Sequence, residues 1–350
     1  MAEDLDFLSV RFRQVTGLFM NPKFLDLLCC PQTGEPLHLD SSKTSSKGRV
    51  VSGALISRSG RRYPIVRGVP RFVGEEDYTS SFGYEWNRWA RVQFDSENLG
   101  KSMAGHTTRM WEAVTRASDD RVKEKIVVEF GCGPGRFLDV VRRKGGIAVG
   151  LDLSMAVEAA SRNFADDPDV LIVQGDIFNP PFRQDSFDGG YAIGVLHHTP
   201  DPQRGLWSLA KIVKSGGWVA CVVYPKQGLY SYRSVERFRR ITNKIKPILG
   251  YYPALSYAYF SASVIAPLLK MGKKIQGMRG LLRYLEEQWI VSLDYLPDLR
   301  WRALDTFDAI TPVIASTHTG EQVRGWMKAA GCSDIRTTDW GETSVVGVKG

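Results

Sequence analysis

The sequence predicts an α/β protein built on a doubly wound, mainly parallel sheet, and three observations carry that expectation. From Lys125 onward, short apolar runs alternate with amphipathic stretches in the order strand, loop, helix. The first run, Ile126–Phe130, leads straight into the glycine-rich loop Gly131-Cys-Gly-Pro-Gly135. The next run closes on Gly150-Leu-Asp152, which puts a carboxylate at the tip of a neighbouring strand.

Taken in order, strands are expected at 126–130, 147–151, 170–174, 187–193 and 217–224, with helices near 135–144, 155–164 and 203–213. Ile126-Val-Val-Glu-Phe130 is apolar apart from Glu129, as a strand buried on both faces requires. The alternation lapses after Tyr224. It resumes as a helix near 320–330 and two runs, Asp334 to Trp340 and Thr343 to Val348, suited to a terminal antiparallel pair. Residues 1–75 hold short apolar runs split by the polar stretch Ser41–Gly48, which reads as the hairpin loop of a small β-rich module. Residues 76–120 read as a helical connecting segment bearing Phe82, Tyr84, Trp86, Trp89 and Trp111. Five regions follow: 1–75, 76–120, a core at 121–225, an insertion at 226–318 and a closing segment at 319–350.

Composition bounds the function. A chain of 350 residues with 43% apolar and 24% charged content is long enough for a catalytic domain with a smaller companion. Five cysteines without repeated spacing do not make a disulfide scaffold, and the acidic start Met1-Ala-Glu-Asp-Leu-Asp lacks the basic region of an export signal, so a cytoplasmic protein is expected. The formal charge of +8 is concentrated: twelve Lys or Arg face a single acid, Glu236, between Lys226 and Arg283.

Glycines are needed where a backbone turns sharply and lets a ligand touch it, and the N–H groups opening the next helix favour an anion, so a ligand carboxylate belongs at this loop. Asp152, 21 positions past Gly131, is placed to grip the two hydroxyls of a ribose. Between nucleoside cofactors, the spacing decides. A dinucleotide loop reads G-x-G-x-x-G, whereas this one reads G-x-G-x-G.

The tighter loop preceded by Glu129, with Val173-Gln-Gly-Asp-Ile177, Ser186-Phe-Asp-Gly-Gly-Tyr-Ala-Ile-Gly-Val-Leu-His-His-Thr-Pro-Asp-Pro202 and Val213-Lys-Ser-Gly-Gly217, resembles the class I S-adenosylmethionine-dependent methyltransferases of the type 11 kind. That resemblance implies a seven-stranded Rossmann-like sheet and S-adenosyl-L-methionine as cofactor. It assigns cofactor contact to Glu129, Gly131, Cys132, Gly133, Gly135, Asp152, Leu153, Asp176, Ile177 and Gly194. Asp176 and Ile177 are the pair that would hold the adenine. Asn179-Pro-Pro-Phe182 matches a tetrad that some methyltransferases place after the fourth strand; here it follows the third, and it reads as a bend.

Methyl transfer from a sulfonium is an in-line displacement, so a protein mainly supplies alignment and a dry pocket, with a base only where the acceptor must lose a proton. His197 and His198, just past the fourth strand, and Tyr224, at the end of the fifth, are the candidate catalytic groups. The competing reading of His197 is that it packs against the cofactor or fixes the loop through Asp201. The five histidines do not combine with acids at ligand spacing, so no metal is expected.

Leu27-Leu-Cys-Cys-Pro-Gln-Thr-Gly-Glu-Pro-Leu37 and Gly60-Arg-Arg-Tyr-Pro-Ile-Val-Arg-Gly-Val-Pro-Arg-Phe72 resemble the two ends of the zinc-ribbon-like activator of RNA and protein methyltransferases. Cys30-Pro-Gln-Thr33 lacks the second cysteine of a zinc ligand pair, so the module is expected to stand on its apolar core. Ser80-Ser-Phe-Gly-Tyr-Glu-Trp86 resembles the segment ahead of the core in bacterial small-molecule methyltransferases, which implies that Trp86 folds over the cofactor. The insertion lies where this fold carries substrate-selecting elements. Its centre, Pro247 to Leu269, has no charge and several tyrosines between basic shoulders, and reads as a helical lid. The function expected is methyl transfer to oxygen or nitrogen of a small or medium organic acceptor, without a stable nucleic-acid partner. Three other readings stand beside it: an RNA methyltransferase using the basic insertion, C-methylation of a lipid-like or quinone acceptor at a membrane surface touched by the insertion, and a non-catalytic cofactor-binding scaffold.

Overall fold

The computed structural model describes residues 19–45, 48–73 and 77–350. The acidic start, Ser46 and Lys47 of the polar stretch, and the boundary expected at 75–76 lie outside the described residues.

After a 3-10 turn over Pro22–Leu27, the chain forms an antiparallel meander of β1 (Leu37–Thr44), β2 (Val50–Ser57), β3 (Arg62–Val66) and β4 (Val69–Pro70). In β3 the alternation is plain: Tyr63 and Ile65 are buried while Arg62, Pro64 and Val66 face out. The polar stretch from Ser41 is not all loop. β1 continues to Thr44 through shifts in register, and the turn closes where Ser45 N–H donates to the Arg49 carbonyl at 2.7 Å. Pairing with β2 satisfies the backbone whatever the side chains, so polarity alone misplaces the turn.

Helices α1 (Ser80–Arg88) and α2 (His106–Thr115) lead to the core. The core runs β5 (Ile126–Phe130), α3 (Arg136–Arg143), β6 (Ile147–Asp152), α4 (Val157–Asn163), β7 (Val170–Gln174), β8 (Phe187–Ile193), α5 (Pro202–Ile212) and β9 (Val213–Val222). The insertion is helical, with α6 (Arg233–Leu249), α7 (Tyr252–Phe260), a π turn at Ser261–Ile265, α8 (Ala266–Gly272), α9 (Met278–Gln288) and α10 (Leu299–Ile310). Helix α11 (Gly320–Ala329) and the antiparallel pair β10 (Cys332–Thr338) and β11 (Gly341–Lys349) close the chain.

Seven strands form one sheet in the order β10-β11-β9-β8-β5-β6-β7, parallel from β9 to β7 and antiparallel at β11. The doubly wound fold expected from the alternation is present. β9 starts at Val213, ahead of the expected residue 217, because Val213 already pairs with Phe187 and a bulge before Gly189 absorbs the glycines. Below the sheet Trp111, Tyr191 and Trp218 pack with ring centroids 6.1 Å apart, and the space exists because residue 189 is glycine: a Cβ there would strike the Trp218 ring. Truncating Trp218 to alanine would cost about 3–5 kcal/mol.

Chain order reverses between β5 and β8, and in such sheets the crevice beyond the strand ends at this point receives ligands. On the far edge β7 is covered by the N-terminal module. Phe72 N–H donates to the Gln174 carbonyl at 2.9 Å, Arg71 bridges Gln174 and Glu158, and Arg67 reaches Glu158 at 2.8 Å. The segment Asn179–Phe182 does bend the chain. It also docks the module, since the Pro181 carbonyl accepts from Cys29 N–H at 3.0 Å and Phe182 is buried beside Leu28.

Candidate functional site

A cavity of about 510 Å³ opens at the reversal point, and it joins the glycine loop to the insertion. The loop takes its shape from left-handed backbone at Gly131 (φ 67°), Gly133 (φ 52°) and Gly135 (φ 89°), which other residues enter at a cost. Space enforces it as well: a Cβ on Gly131 would strike Val195, and one on Gly133 would lie 3.2 Å from the Trp86 indole nitrogen. Trp86 therefore lies over the loop. It and Phe82, one turn apart on α1, line the cavity.

Asp152 ends β6 with its carboxylate buried. One oxygen accepts from Gly133 N–H at 2.8 Å, and the other accepts from Ser154 N–H at 2.9 Å and Ser154 Oγ at 2.7 Å. A carboxylate has about four acceptor positions, so about one remains, on the oxygen shared with Gly133. Burial raises its pKa, against the pull of those three bonds. Glu129 is buried too, takes a 3.2 Å bond from Tyr191 Oη, and is pushed well above the ordinary carboxylate range, first by desolvation.

Asp176, on the loop after β7, accepts from Phe178 N–H at 2.8 Å and Asn179 Nδ2 at 3.2 Å, which fixes its carboxylate at the cavity wall next to Ile177. Cys132 and Leu153 line the same end. Gly194, at φ 75°, lines it with nothing within 4 Å of where a Cβ would stand, an open cradle that a side chain would fill. All eleven residues expected to touch the cofactor, except Gly135, line this one cavity. Gly135 sits behind it, where a Cβ would meet the Phe164 ring at 2.5 Å, and serves the turn into α3.

At the other end stand His197, His198 and Tyr224. His197 is fully buried, and neither ring nitrogen has a partner among the described residues; burial, then His198, holds it well below its ordinary pKa and therefore neutral. Its ring lies against Tyr224 with centroids 3.6 Å apart. Asp201 does not anchor it: that carboxylate caps α5 through Arg204 N–H at 3.0 Å. His198 Nδ1 lies 2.8 Å from the Ile314 carbonyl, which can only accept, so Nδ1 carries the proton and Nε2 keeps its lone pair. Tyr224 Oη donates to Asp308 at 3.1 Å, and its ring stacks on Tyr230 with centroids 3.5 Å apart.

The insertion contributes groups that sequence reasoning missed. Asp305 and Asp308, one turn apart on α10, both line the cavity. Burial and then Asp308 push Asp305 up to about 7, while Gln93 Nε2 donates to it at 3.2 Å. Glu85 on α1 is fully buried with neither carboxyl oxygen partnered among the described residues, and is raised far above its ordinary value by burial and then by Asp308 and Asp305. Arg136, at the start of α3, is the one lysine or arginine lining the cavity among the described residues, and its charge acts on Asp305, Glu129, Asp308 and Glu85. The signal in the sequence was Ala303-Leu-Asp-Thr-Phe-Asp-Ala-Ile310, two acids at helical spacing in an otherwise apolar face.

Taken together, one end offers glycine backbone and carboxylates suited to a nucleoside with an amino-acid tail, and the other a chamber with mostly apolar walls, two neutral imidazoles and an acid poised near neutrality. Among the described residues no group of three or more His, Cys, Asp or Glu is arranged to hold a metal ion. Cys30 Sγ instead lies 3.1 Å from Tyr63 Oη and 3.4 Å from Gln32 Oε1.

Residues 128–221 match the methyltransferase domain family, and residues 21–68 match the Trm112p-like protein family. The chain is 27% identical over 166 residues to a demethylmenaquinone methyltransferase of Corynebacterium kroppenstedtii, a stretch covering 47% of this chain and 70% of that protein. It is 30% identical over 130 residues to a ubiquinone biosynthesis O-methyltransferase of Nitrosomonas europaea, covering 34% of this chain and 54% of that one. This chain thus spans about half the length of the second relative. Among solved structures, the Haloferax volcanii complex of the Trm112 methyltransferase activator with a putative methyltransferase is 28% identical, covers 47% of this chain and 68% of that one, and has a TM-score of 0.37.

Proposed function

We propose that the chain, whose residues 128–221 match the methyltransferase domain family and whose residues 21–68 match the Trm112p-like protein family, transfers the methyl of S-adenosylmethionine to a hydroxyl or amine of a small or medium organic acceptor. The acceptor lies in the chamber between β9 and α10. The observation that carries this reading is the single cavity that runs from the glycine loop to His197, His198, Tyr224 and Asp305.

Bound in this cavity, S-adenosylmethionine supplies an electrophilic methyl on a sulfonium with a neutral leaving group. Asp152 takes a ribose hydroxyl on its remaining acceptor position, Asp176 and Ile177 border the adenine, and Glu129 with the loop faces the amino-acid tail. Phe82 and Trp86 close over it. Tyr230, Leu304 and Trp301 line the chamber from the insertion side and exclude water, which strengthens every interaction inside. Two groups can receive a proton from the acceptor: His198 at Nε2, and Asp305, which changes charge near pH 7.

The relatives point to a more specific acceptor. Both are named for reactions on quinone precursors, and the apolar walls of the chamber suit an aromatic, poorly water-soluble molecule, methylated on a ring hydroxyl. The test is incubation with methyl-labelled S-adenosylmethionine and fractionated host extract, followed by identification of the labelled product. Label in a small polar or aromatic metabolite fits the proposal; label confined to RNA or protein overturns it.

A further inference from the structure

The insertion wears its residues inside out. Ala254, Ala258, Ala262 and Ala266, spaced by four along α7, the π turn and α8, are all buried against α10 and its neighbours. Small side chains there let the helices approach closely. The opposite face carries the bulk: Tyr252 is 76% exposed, Leu268 62% and Met271 66%, with Phe260 and Val264 between them at the same helical spacing. Ile248 precedes this stripe and Ile275 follows it, both exposed. A helix turned toward water shows the reverse arrangement, and an exposed apolar stripe of this length marks a surface built to be covered.

Charge identifies what covers it. From Arg237 to Leu285 there are ten Lys or Arg and no acid. Lys270 adjoins Met271 and Lys274 follows three residues later, both exposed, and Lys244 is exposed on α6. Among the described residues no helix is long and apolar enough to cross a membrane, so a bulky apolar face bordered by cations has the character of an element that lies in a lipid surface. We propose that the outer face of α7 and α8 docks on an anionic bilayer, with Tyr252, Phe260, Leu268 and Met271 entering the acyl boundary and Lys270 and Lys274 meeting the headgroups. This goes beyond the methyl-transfer reading and stands apart from the cavity, so either can fail alone.

The test is co-sedimentation of the full chain with vesicles of phosphatidylcholine alone and of phosphatidylcholine containing phosphatidylglycerol, at low and high salt. Binding is expected only to the anionic vesicles and should weaken with salt. Each exposed lysine contributes roughly a fivefold factor, so the double variant Lys270→Gln, Lys274→Gln should bind about 25-fold more weakly. Phe260→Ser with Leu268→Ser, both at exposed positions, should lose at least about tenfold per residue while keeping wild-type melting and cofactor binding. Three results would overturn the proposal: no sedimentation with anionic vesicles at low salt, unchanged binding by the serine variant, or an RNA that binds more tightly than the vesicles at equal salt. A protein that is dimeric in solution and becomes monomeric on the serine substitutions would overturn it as well, by showing that a second copy covers the face.

Discussion

Asp305 offers a test that needs no knowledge of the acceptor. Burial, with Asp308 one turn away, raises its carboxyl from 3.8 to about 7 against the pull of Arg136. Between those two values the folded protein binds more protons at this site than the unfolded chain does. Stability from this group is therefore full below 3.8 and is lost as pH rises toward 7. At about 1.36 kcal/mol per pH unit, that interval sets a ceiling of about 4 kcal/mol. Asp305→Asn keeps the shape and an oxygen for Gln93 Nε2 and removes the charge. For a chain of this length, with an unfolding entropy of roughly 2.1 cal/mol/K per residue, the variant should melt above the wild type by up to about 2 °C at pH 5 and about 6 °C at pH 8. Calorimetric melting of both proteins across that range reads the difference directly. A variant that is more stable at pH 8 yet slower in methyl transfer would mark Asp305 as a group held at a cost for function. Parallel melting curves, or a variant less stable at pH 8, would refute the reasoning.

Other expectations follow from the same geometry. Asp152→Ala removes the acceptor of three protein bonds and a ribose partner, so cofactor affinity measured by titration calorimetry should fall about 100-fold or more, with a lower melting temperature; retained affinity would remove the ribose assignment. His198→Ala should spare cofactor binding and lower turnover by about 100-fold, and equal turnover would leave Asp305 as the proton acceptor. His197→Phe preserves the contact with Tyr224 and deletes two unpartnered nitrogens, so it should keep or raise the melting temperature, while reduced turnover in labelled-methyl assays would place the imidazole against the acceptor. Glu158→Ala strips Arg71 of its carboxylate partner at the seam between module and core, leaving only Gln174; a loss of about 3 kcal/mol is expected, read as faster hydrogen exchange in β4 and β7, and unchanged exchange would show that the pair does not hold the seam.

The parts of the fold legible in the sequence are those whose cause is local. Ile126–Phe130, the three glycines and Asp152 announce a strand, a forced turn and a ligand-facing tip within a short stretch, because apolar runs, left-handed backbone and strand ends each have their own residue signature. His197 and His198 were legible by position, since the carboxyl edge of a parallel sheet collects ligands. Of Asp305, Asp308 and Glu85 the sequence shows only two acids at helical spacing within residues 303–310; their significance arises when α1 and α10 fold over the same chamber, a pairing that no local pattern specifies. The insertion shows where the limit lies. The four-residue spacing of Ala254, Ala258, Ala262 and Ala266 is visible in the sequence, as is the bulky stripe on the opposite side, and periodicity alone would bury the bulky face because that removes more apolar area from water. Packing against α10 buries the alanines instead. A helix that forgoes the larger burial within its own fold leaves that area for a partner, so the mismatch between pattern and packing reveals more about this segment than either does alone.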